Sequence, residues 1–300
     1  MMASTAARAI AGVRTNAVLH EVLPRSVALG WIRRKADLAW RDPKVRFQAE
    51  VQMKFAVGRT QRAAEAASLA RDYVYESYKY GETLFRAREI CRFEVDNFEL
   101  IADLQRRGRP IILSVLHHGQ YMGAMASVAR RGLSFVVPAN PVVVEGDEPG
   151  PRAHRRAADS GGFRMIPAAG SYRILSEVLA AGGAVGILCD IAGTGTVRYL
   201  GWSVGCAVGT WKLSFEYSAP VVILSSVRQG DWQRVRIAQV VDPRDFVTGP
   251  ELLQAVFDAH EPAVLAWPEA LRQPVQLFNF SNEDSLELGL EDPLMSPMVV

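Results

Sequence analysis

Cysteine is scarce in this sequence of 300 residues, which contains three: Cys91, Cys189 and Cys206. The count is odd and no CxxC spacing occurs, so we expect neither a disulfide framework nor a zinc site, and the default location is a reducing, cytoplasmic compartment. No apolar run reaches the length of about 18 residues that spans a bilayer. The N-terminal stretch MMASTAARAIAGVRTN is broken by Arg8 and Arg14, so it does not resemble a signal peptide. We expect a soluble chain, or one attached at most to the inner face of the membrane.

Several sequence signatures of known chemistry are also missing. There is no GxSxG elbow, no P-loop and no HExxH pattern, and neither a metal ion nor a cofactor is expected. A net charge of +2 does not indicate a DNA-binding protein. With 49% hydrophobic and 22% charged residues, the composition is that of an ordinary globular protein.

Helix–turn–strand units repeat through the middle of the chain. Residues 97–119, NFELIADLQRRGRPIILSVLHHG, are typical of a helix, a turn with a glycine and a buried strand. Further strands and a helix are predicted in GLSFVVPAN, GFRMIPA, SYRILSEVLAAGG and AVGILCD, and VVILSSVRQGDWQRVRIAQVV predicts two strands joined at Gly230–Asp231. The pattern predicts an α/β fold with a mixed, mostly parallel central sheet flanked by helices.

The chain divides into three predicted parts. Residues 1–59 are expected to be an N-terminal helical extension, residues 60–280 an α/β domain, and residues 281–300 a poorly ordered polar tail. Within the extension, residues 16–42 place Val27, Trp31 and Leu38 near one helical face. This helix either caps the core or lies on a membrane surface.

Two further segments contribute to the predicted organisation. Residues 60–86 have the spacing of a long amphipathic helix. Residues 142–162 form a Pro/Gly-rich stretch, which predicts a long loop that acts as a lid or is disordered.

The stretch ILSVLHHGQYMGAM presents the first candidate site. An apolar strand ends at His117 and His118, which are followed by Gly119. Ligands of α/β sheets bind beyond the carboxyl ends of strands, and a histidine there can act as a general base. The alternative is that one histidine is buried and hydrogen-bonded while the other faces solvent.

A second candidate follows the strand that ends at Asp190. The segment IAGTGTVRYLGWSVGCAVGT contains a Gly/Thr loop at 193–195, then Arg198, and then a helix that starts near Gly209. Backbone amides in such a loop can hold an anion, but the spacing does not match a dinucleotide-binding fingerprint. A third candidate is a basic cluster, which is either solvated surface or a docking site for a phosphate-bearing donor; it comprises Arg130, Arg131, Arg152, Arg155 and Arg156.

Together these pieces resemble the lysophospholipid acyltransferase superfamily, in particular the branch of lipid A biosynthesis (lauroyl/myristoyl-type) acyltransferases. The resemblance covers roughly residues 60–275. The family has a strand followed by His, any residue, Gly, Asn, an aromatic residue and Glu, and the sequence HHGQYM supplies His117, Gly119, Gln120 and Tyr121 in that register. The later block, a strand ending in Asp, an aromatic-plus-Gly turn and a helix, is similar to ILCDIAGTGTVRYLGWSVGCAVGTWKLS, with the turn at Gly201.

The sequence departs from this family pattern at the catalytic acid. Met122 stands where the family has its Glu, and VVPANP, with Pro138 and Ala139, replaces a segment that often contains Arg. The resemblance implies that His117 is the general base, and we expect Asp190 to orient it, since two strands of one sheet would end side by side. Glu216 and Glu145 are weaker candidates for that role.

The resemblance implies acyl transfer from a carrier to a hydroxyl or amine. The donor would be acyl-carrier protein, CoA or an aminoacyl-tRNA, and the missing Glu favours a small-molecule acceptor, as in natural-product biosynthesis, over lipid A. Expected substrate-binding residues are His118, Gly119, Tyr121, Met122, Asn140, Arg198 and Gly201. Two alternatives are a non-catalytic binding protein that keeps the family's cleft and a peripheral membrane enzyme that acts on lipid.

Overall fold

A seven-stranded sheet forms the centre of the computed structural model, which describes residues 21–292 and residue 295. Across the sheet, the strands are β1 (Val95–Asp96), β9 (Trp232–Val241), β8 (Val221–Gln229), β2 (Ile111–Val115), β5 (Ala184–Leu188), β3 (Phe135–Ala139) and β4 (Arg164–Pro167). Strands β8, β2, β5, β3 and β4 are parallel, whereas β9 is antiparallel to β8. The predicted α/β fold with a mixed, mostly parallel sheet is confirmed.

Helices cover both faces of this sheet. They are α1 (Arg25–Ala39), α2 (Pro43–Val57), α3 (Ala66–Thr83), α4 (Ala87–Ile90), α5 (Glu99–Arg106), α6 (Tyr121–Ala129), α7 (Pro141–Glu145), α8 (Pro149–Gly161), α9 (Ser171–Ala180), α10 (Gly209–Tyr217), α11 (Gly249–Ala266), α12 (Pro274–Leu277) and α13 (Asn282–Leu288). Among the described residues, no helix combines the length and the apolar character needed to cross a membrane.

Strand β2 lies at the centre of the sheet and is buried along its whole length. Successive side chains of a strand point to opposite faces, so Ile112 joins the core on one face while Ile111 and Leu113 join the core on the other. Such a doubly covered strand is the rigid base from which the residues after Val115 project.

A second, three-stranded antiparallel sheet consists of β6 (Gly195–Tyr199), β7 (Trp202–Cys206) and β10 (Asn279–Phe280). The segment after Asp190 was expected to contain a Gly/Thr loop at 193–195 and a further Gly-rich turn before a helix near Gly209, but strands β6 and β7 occupy most of it. Val197, Tyr199, Trp202 and Val204 are buried and alternate with polar or small residues. This period of two is the pattern of a hairpin with one buried face.

The N-terminal helices pack onto the rest of the chain. Helix α2 contributes Ala49 and Met53 to a cluster with Tyr73 of α3, and its Phe55 stacks on Trp202 with ring centroids 6.2 Å apart. Residues 43–57 of the predicted extension thus share the core of the α/β part. Residues 1–20 lie outside the described residues.

Two segments predicted as irregular are helical instead. Residues 142–162 form α7 and α8, and the small residues Ala153, Ala157, Ala158 and Gly161 make up the buried face of α8. The polar tail begins with α13, which is capped by Ser281 and buries Leu288 at its end. In both cases a few small or apolar residues at helical spacing dock the segment, although its overall composition is polar.

Candidate active site

The register of the central strands brings His117 and Asp190 together. Val115 of β2 pairs with Leu188 of β5, and these are the last residues of their strands. His117 and Asp190 each lie two residues further along. Because the strands are parallel, both side chains emerge at the same edge of the sheet, where ligands of α/β proteins bind.

The two residues make a double contact. Asp190 Oδ1 lies 2.9 Å from His117 Nδ1, and Asp190 Oδ2 accepts the backbone N–H of His117 at 2.7 Å. A carboxylate accepts hydrogen bonds, so we assign the proton to Nδ1, which leaves Nε2 with its lone pair. The Asp190 side chain is 1% exposed and that of His117 is 20% exposed. The predicted contact between these side chains is present.

His117 lines an open cavity of about 630 Å³. Its walls are mostly apolar and include Met125, Leu175, Ile187 and Leu213, and no Lys, Arg, Asp or Glu side chain of the described chain is among the lining residues. The size is that of a site for a small organic molecule. Within the described residues, no group of three or more His, Cys, Asp or Glu side chains is placed to hold a metal ion.

Three of the predicted substrate-binding residues line this cavity. Tyr121 and Met122 begin helix α6, and the Tyr121 ring meets the His117 ring edge-on with centroids 4.8 Å apart. Met122 therefore offers a thioether where the family places a carboxylate. Asn140 caps α7, and its side chain accepts the backbone N–H of Val142, so its oxygen is partly engaged.

His118 points away from the cavity. The residue is 4% exposed, and its Nε2 is 2.9 Å from the Trp267 carbonyl oxygen. Burial lowers the pKa of His118 to about 4, so the ring is neutral at physiological pH. The structure therefore does not support the predicted pocket or donor contact of His118 and instead matches the alternative of one buried, hydrogen-bonded histidine.

Gly119 does not line the cavity, and its role is to allow the backbone conformation at this turn. Its φ is +60°, and a Cβ there would lie 2.8 Å from Ser226 Cβ and 2.5 Å from Gln233 Oε1. Its N–H donates to the Ala270 carbonyl oxygen at 3.0 Å. Glycine is required at this position because the chain must turn sharply between β2 and α6 in a crowded place.

The structure does not bring Arg198 and Gly201 to the cavity. Arg198 lies on β6, and its backbone N–H and carbonyl bond to the Gln254 side chain. Gly201 has a φ of +82° in the β6–β7 turn, where a Cβ would lie 2.6 Å from Arg59 Cβ. Of the weaker acid candidates, Glu216 accepts hydrogen bonds from Tyr172 and Tyr217, and Glu145 is exposed at the end of α7.

The predicted basic cluster has mixed roles. Arg155 Nη1 donates to the carbonyl oxygens of Val143, Val144 and Gly146 at 3.2, 3.2 and 2.7 Å, so it fixes the end of α7. Arg130 donates to the Ser160 carbonyl oxygen. Arg152 and Arg156 are exposed on α8. These arginines either donate hydrogen bonds within the fold or are exposed to solvent, and none of them lines the cavity.

His154 lines the cavity and was not predicted. Its Nδ1 is 2.9 Å from the Gly150 carbonyl oxygen, and its Nε2 is 3.0 Å from the Tyr80 hydroxyl. A backbone carbonyl can only accept, so Nδ1 carries the proton and Nε2 accepts from Tyr80. Burial lowers the pKa of His154 to about 4, so this ring is also neutral. The buried small residues of α8 could have revealed the helix that carries it.

An aromatic stack links His154 to the His117 side of the site. The rings of Tyr80 and Tyr121 stack with centroids 5.3 Å apart, and burial raises the pKa of both hydroxyls. Arg272 lies over the Tyr80 ring at 3.6 Å, and its backbone N–H donates to the His117 carbonyl oxygen at 2.8 Å. These contacts hold the His117 backbone and ring in place, and no sequence signal marks Tyr80 or Arg272 as part of the site.

Comparison with models of known protein families finds no match for this chain, and comparison with curated proteins finds no match either. The chemistry of the site must therefore be argued from its own geometry.

Proposed function

We propose that this chain is an acyltransferase of the lysophospholipid acyltransferase type. It would move an acyl group from a carrier thioester or ester to a hydroxyl or amine of a small molecule in the cytoplasm. The donor would be acyl-carrier protein, CoA or an aminoacyl-tRNA. The observation that carries the proposal is the His117–Asp190 pair at the wall of an apolar cavity of about 630 Å³.

The pair can perform the proton transfers of this reaction. His117 Nε2 accepts the proton of the acceptor hydroxyl or amine as the nucleophile attacks the acyl carbonyl carbon. A new C–O or C–N bond forms, the bond from the carbonyl carbon to the carrier sulfur or oxygen breaks, and the imidazolium returns its proton to the leaving group. Asp190 holds the Nδ1–H tautomer and stabilises the charge on the ring, as the aspartate of a Ser-His-Asp triad does.

The same arrangement argues against a binding protein that has lost its catalysis. That alternative rests on Met122 in place of the family's acid. Asp190 supplies a carboxylate at the ring of His117 from the neighbouring strand, 2.9 Å away. The cavity walls are mostly apolar and include no Lys, Arg, Asp or Glu side chain of the described chain, which suits an acyl chain or an apolar acceptor.

Release of free thiol from medium-chain acyl-CoA thioesters, with small amino alcohols as acceptors, tests the proposal. We expect the chain to release thiol and the His117→Ala variant to lose the activity by a factor of about 10²–10⁴, the usual contribution of general acid–base catalysis. The His118→Ala variant should retain kcat, provided that its folding is verified by circular dichroism.

Two results would contradict the proposal. One is thiol release that His117→Ala leaves unchanged. The other is saturable binding of acyl thioesters, measured by calorimetry, without release from acyl-CoA or from an acylated carrier protein, which would identify a non-catalytic binding protein.

A further inference from the structure

One face of helix α1 exposes large apolar side chains to solvent. Val27, Trp31 and Leu38 are 54%, 50% and 53% exposed, and just before the helix Val22 and Leu23 are 70% and 39% exposed. No other segment of the described chain carries as many exposed large apolar residues. Burial of apolar area is the main favourable term in protein association, so such a face marks an interaction surface.

The exposed face is not the one that holds α1 to the protein. Ala28, Ile32 and Ala36 are the buried residues of α1. Val27, Trp31 and Leu38 are separated by four and seven residues, so they form a second stripe that faces solvent, roughly 120° around the helix from the buried one. The helix can therefore use this stripe without leaving its place in the fold.

Positive charge accompanies the apolar stripe. Arg34 falls between Trp31 and Leu38 at the same helical spacing, and Arg41 follows the helix; both are exposed and make no ion pair within the described chain. The acidic residue of the helix, Asp37, is engaged by Arg71 at 2.7 Å. The outward face thus carries apolar side chains and free guanidinium groups.

We propose that the outward face of α1 docks onto a membrane surface that contains anionic lipid. An apolar stripe flanked by arginines is the pattern of a helix that lies in the plane of the interface, with arginines reaching the headgroups. A second copy of the chain fits less well, since a two-fold contact of this face would bring the guanidinium groups of Arg34 and Arg41 from both copies into one interface, while the acidic residue of the helix, Asp37, is engaged by Arg71. This inference does not depend on the proposed acyl transfer.

Co-sedimentation of the full chain with vesicles tests the proposal. We expect binding to vesicles of equal parts phosphatidylcholine and phosphatidylglycerol and weaker binding to phosphatidylcholine alone. Each arginine near an anionic surface is worth about fivefold in affinity, so Arg34→Glu/Arg41→Glu should weaken binding by at least about 25-fold. Trp31→Ser/Leu38→Ser should weaken binding to both kinds of vesicle by at least about tenfold.

Matched controls separate this face from general surface effects. Val247→Ser/Leu286→Ser removes two exposed apolar residues elsewhere, which are 89% and 62% exposed. Arg152→Glu/Arg156→Glu reverses two exposed charges on α8. Both control variants should bind vesicles as the parent does. A chain that does not sediment with anionic vesicles, or α1 variants that bind like the parent, would overturn the proposal.

The fluorescence of Trp31 reports whether the outward face of α1 is exposed or covered when none of its apolar residues is replaced. The emission of the parent minus that of Trp31→Phe should correspond to an exposed indole in buffer and shift to shorter wavelength with anionic vesicles. An emission already typical of a buried indole in buffer would show that the chain itself or a second copy covers the face, and the proposal would be wrong. Sedimentation velocity identifies the second copy, since a dimer would then be lost in Trp31→Ser/Leu38→Ser.

Discussion

At the scale of single residues, the surroundings of a histidine decide whether it can act as a base. His117 and His118 are adjacent, yet the first faces a cavity with Asp190 on its Nδ1 side, while the second is buried against a backbone carbonyl. Burial disfavours the charged form of an imidazole, so His118 cannot readily accept a proton during turnover. The ring of His117 is held by the Asp190 carboxylate at Nδ1 and lines the cavity.

The contribution of Asp190 can be measured by removing its charge. Asp190→Asn keeps an oxygen for the backbone N–H of His117 but offers the ring an amide in place of a carboxylate. The ring then loses support for its Nδ1–H tautomer and for its positive charge. We expect kcat of the proposed acyl transfer to fall by about 10²–10⁴, with KM for the donor little changed because Asp190 does not line the cavity.

Asp284→Asn is the matched control for this variant. Asp284 is also buried, at 7% exposure, but it pairs with Arg59 at 2.8 Å away from His117. It should alter stability and leave kcat unchanged. A fully active Asp190→Asn enzyme would show that Asp190 has a structural role alone.

Residue-level prediction from the sequence succeeded where strand geometry determines position. Asp190 was predicted because residues that follow neighbouring parallel strands share one edge of the sheet. Arg198 and Gly201 were misplaced because the segment after Asp190 leaves the sheet and forms a separate hairpin. His154 and Arg272 reach the site through packing of α8 and of the chain after α11. The spacing of small residues indicates the helix α8, but nothing in the local sequence shows where that helix packs.

At the scale of secondary-structure elements, α7 and α8 form one wall of the cavity and are held in place by hydrogen bonds. Val143 of α7 and His154 of α8 line the cavity, and the His154 ring is tied to Tyr80 of α3. Arg155 links the two helices through three backbone carbonyls at the end of α7. Hydrogen bonds to a charged group contribute more than neutral ones, so Arg155 is the main polar tie between these helices.

Arg155→Met tests this tie. The change keeps the apolar part of the side chain and leaves the last carbonyls of α7 without their donor, at a cost of about 1–3 kcal/mol to local stability. Amide hydrogen exchange in residues 141–148 should become at least about fivefold faster. In the proposed reaction, KM for the donor should rise while kcat stays nearly constant, because the cavity wall is loosened and His117 is not.

Arg156→Met is the control, since Arg156 is exposed on the same helix. It should leave hydrogen exchange and KM at the parent values. Equal effects of the two variants would mean that Arg155 is not the tie.

Element prediction worked best for the sheet. Strands such as β2 and β5 are continuous apolar runs bounded by turn residues, and they were located from the sequence. The segment 142–162 was predicted as a loop because it is rich in Pro and Gly, although Pro149 stands at a helix start, where its missing N–H costs nothing. Its helix α8 depends on a face of alanines docked against α6, which composition does not reveal.

At the scale of the whole molecule, buried histidines make the free energy of unfolding depend on pH. His118 and His260 are 4% and 1% exposed, and burial lowers their pKa values to about 4 and about 3. His260 Nε2 lies 2.9 Å from the Ser114 hydroxyl, directly beneath the strand end that carries His117. Both rings are neutral in the folded chain, while a histidine in the unfolded chain has a pKa of about 6.5.

The free energy of unfolding should therefore fall as the medium is acidified. Above pH of about 6.5 both states hold these rings neutral and the full stability is present; below it, the unfolded chain binds protons that the folded chain does not. Stability is lost between about pH 6.5 and the folded pKa of about 4 or 3, by up to about 1.4 kcal/mol per pH unit for each histidine.

Urea unfolding followed by tryptophan fluorescence at several pH values measures this slope. His260→Gln keeps a polar partner for Ser114 but cannot be protonated, so its slope should be smaller than that of the parent by about one histidine's share. Because both proteins contain the same carboxyl groups, the difference between the two slopes reports the protonation of His260. Identical slopes would show that His260 is protonated as easily in the folded chain as in the unfolded one, contrary to its burial.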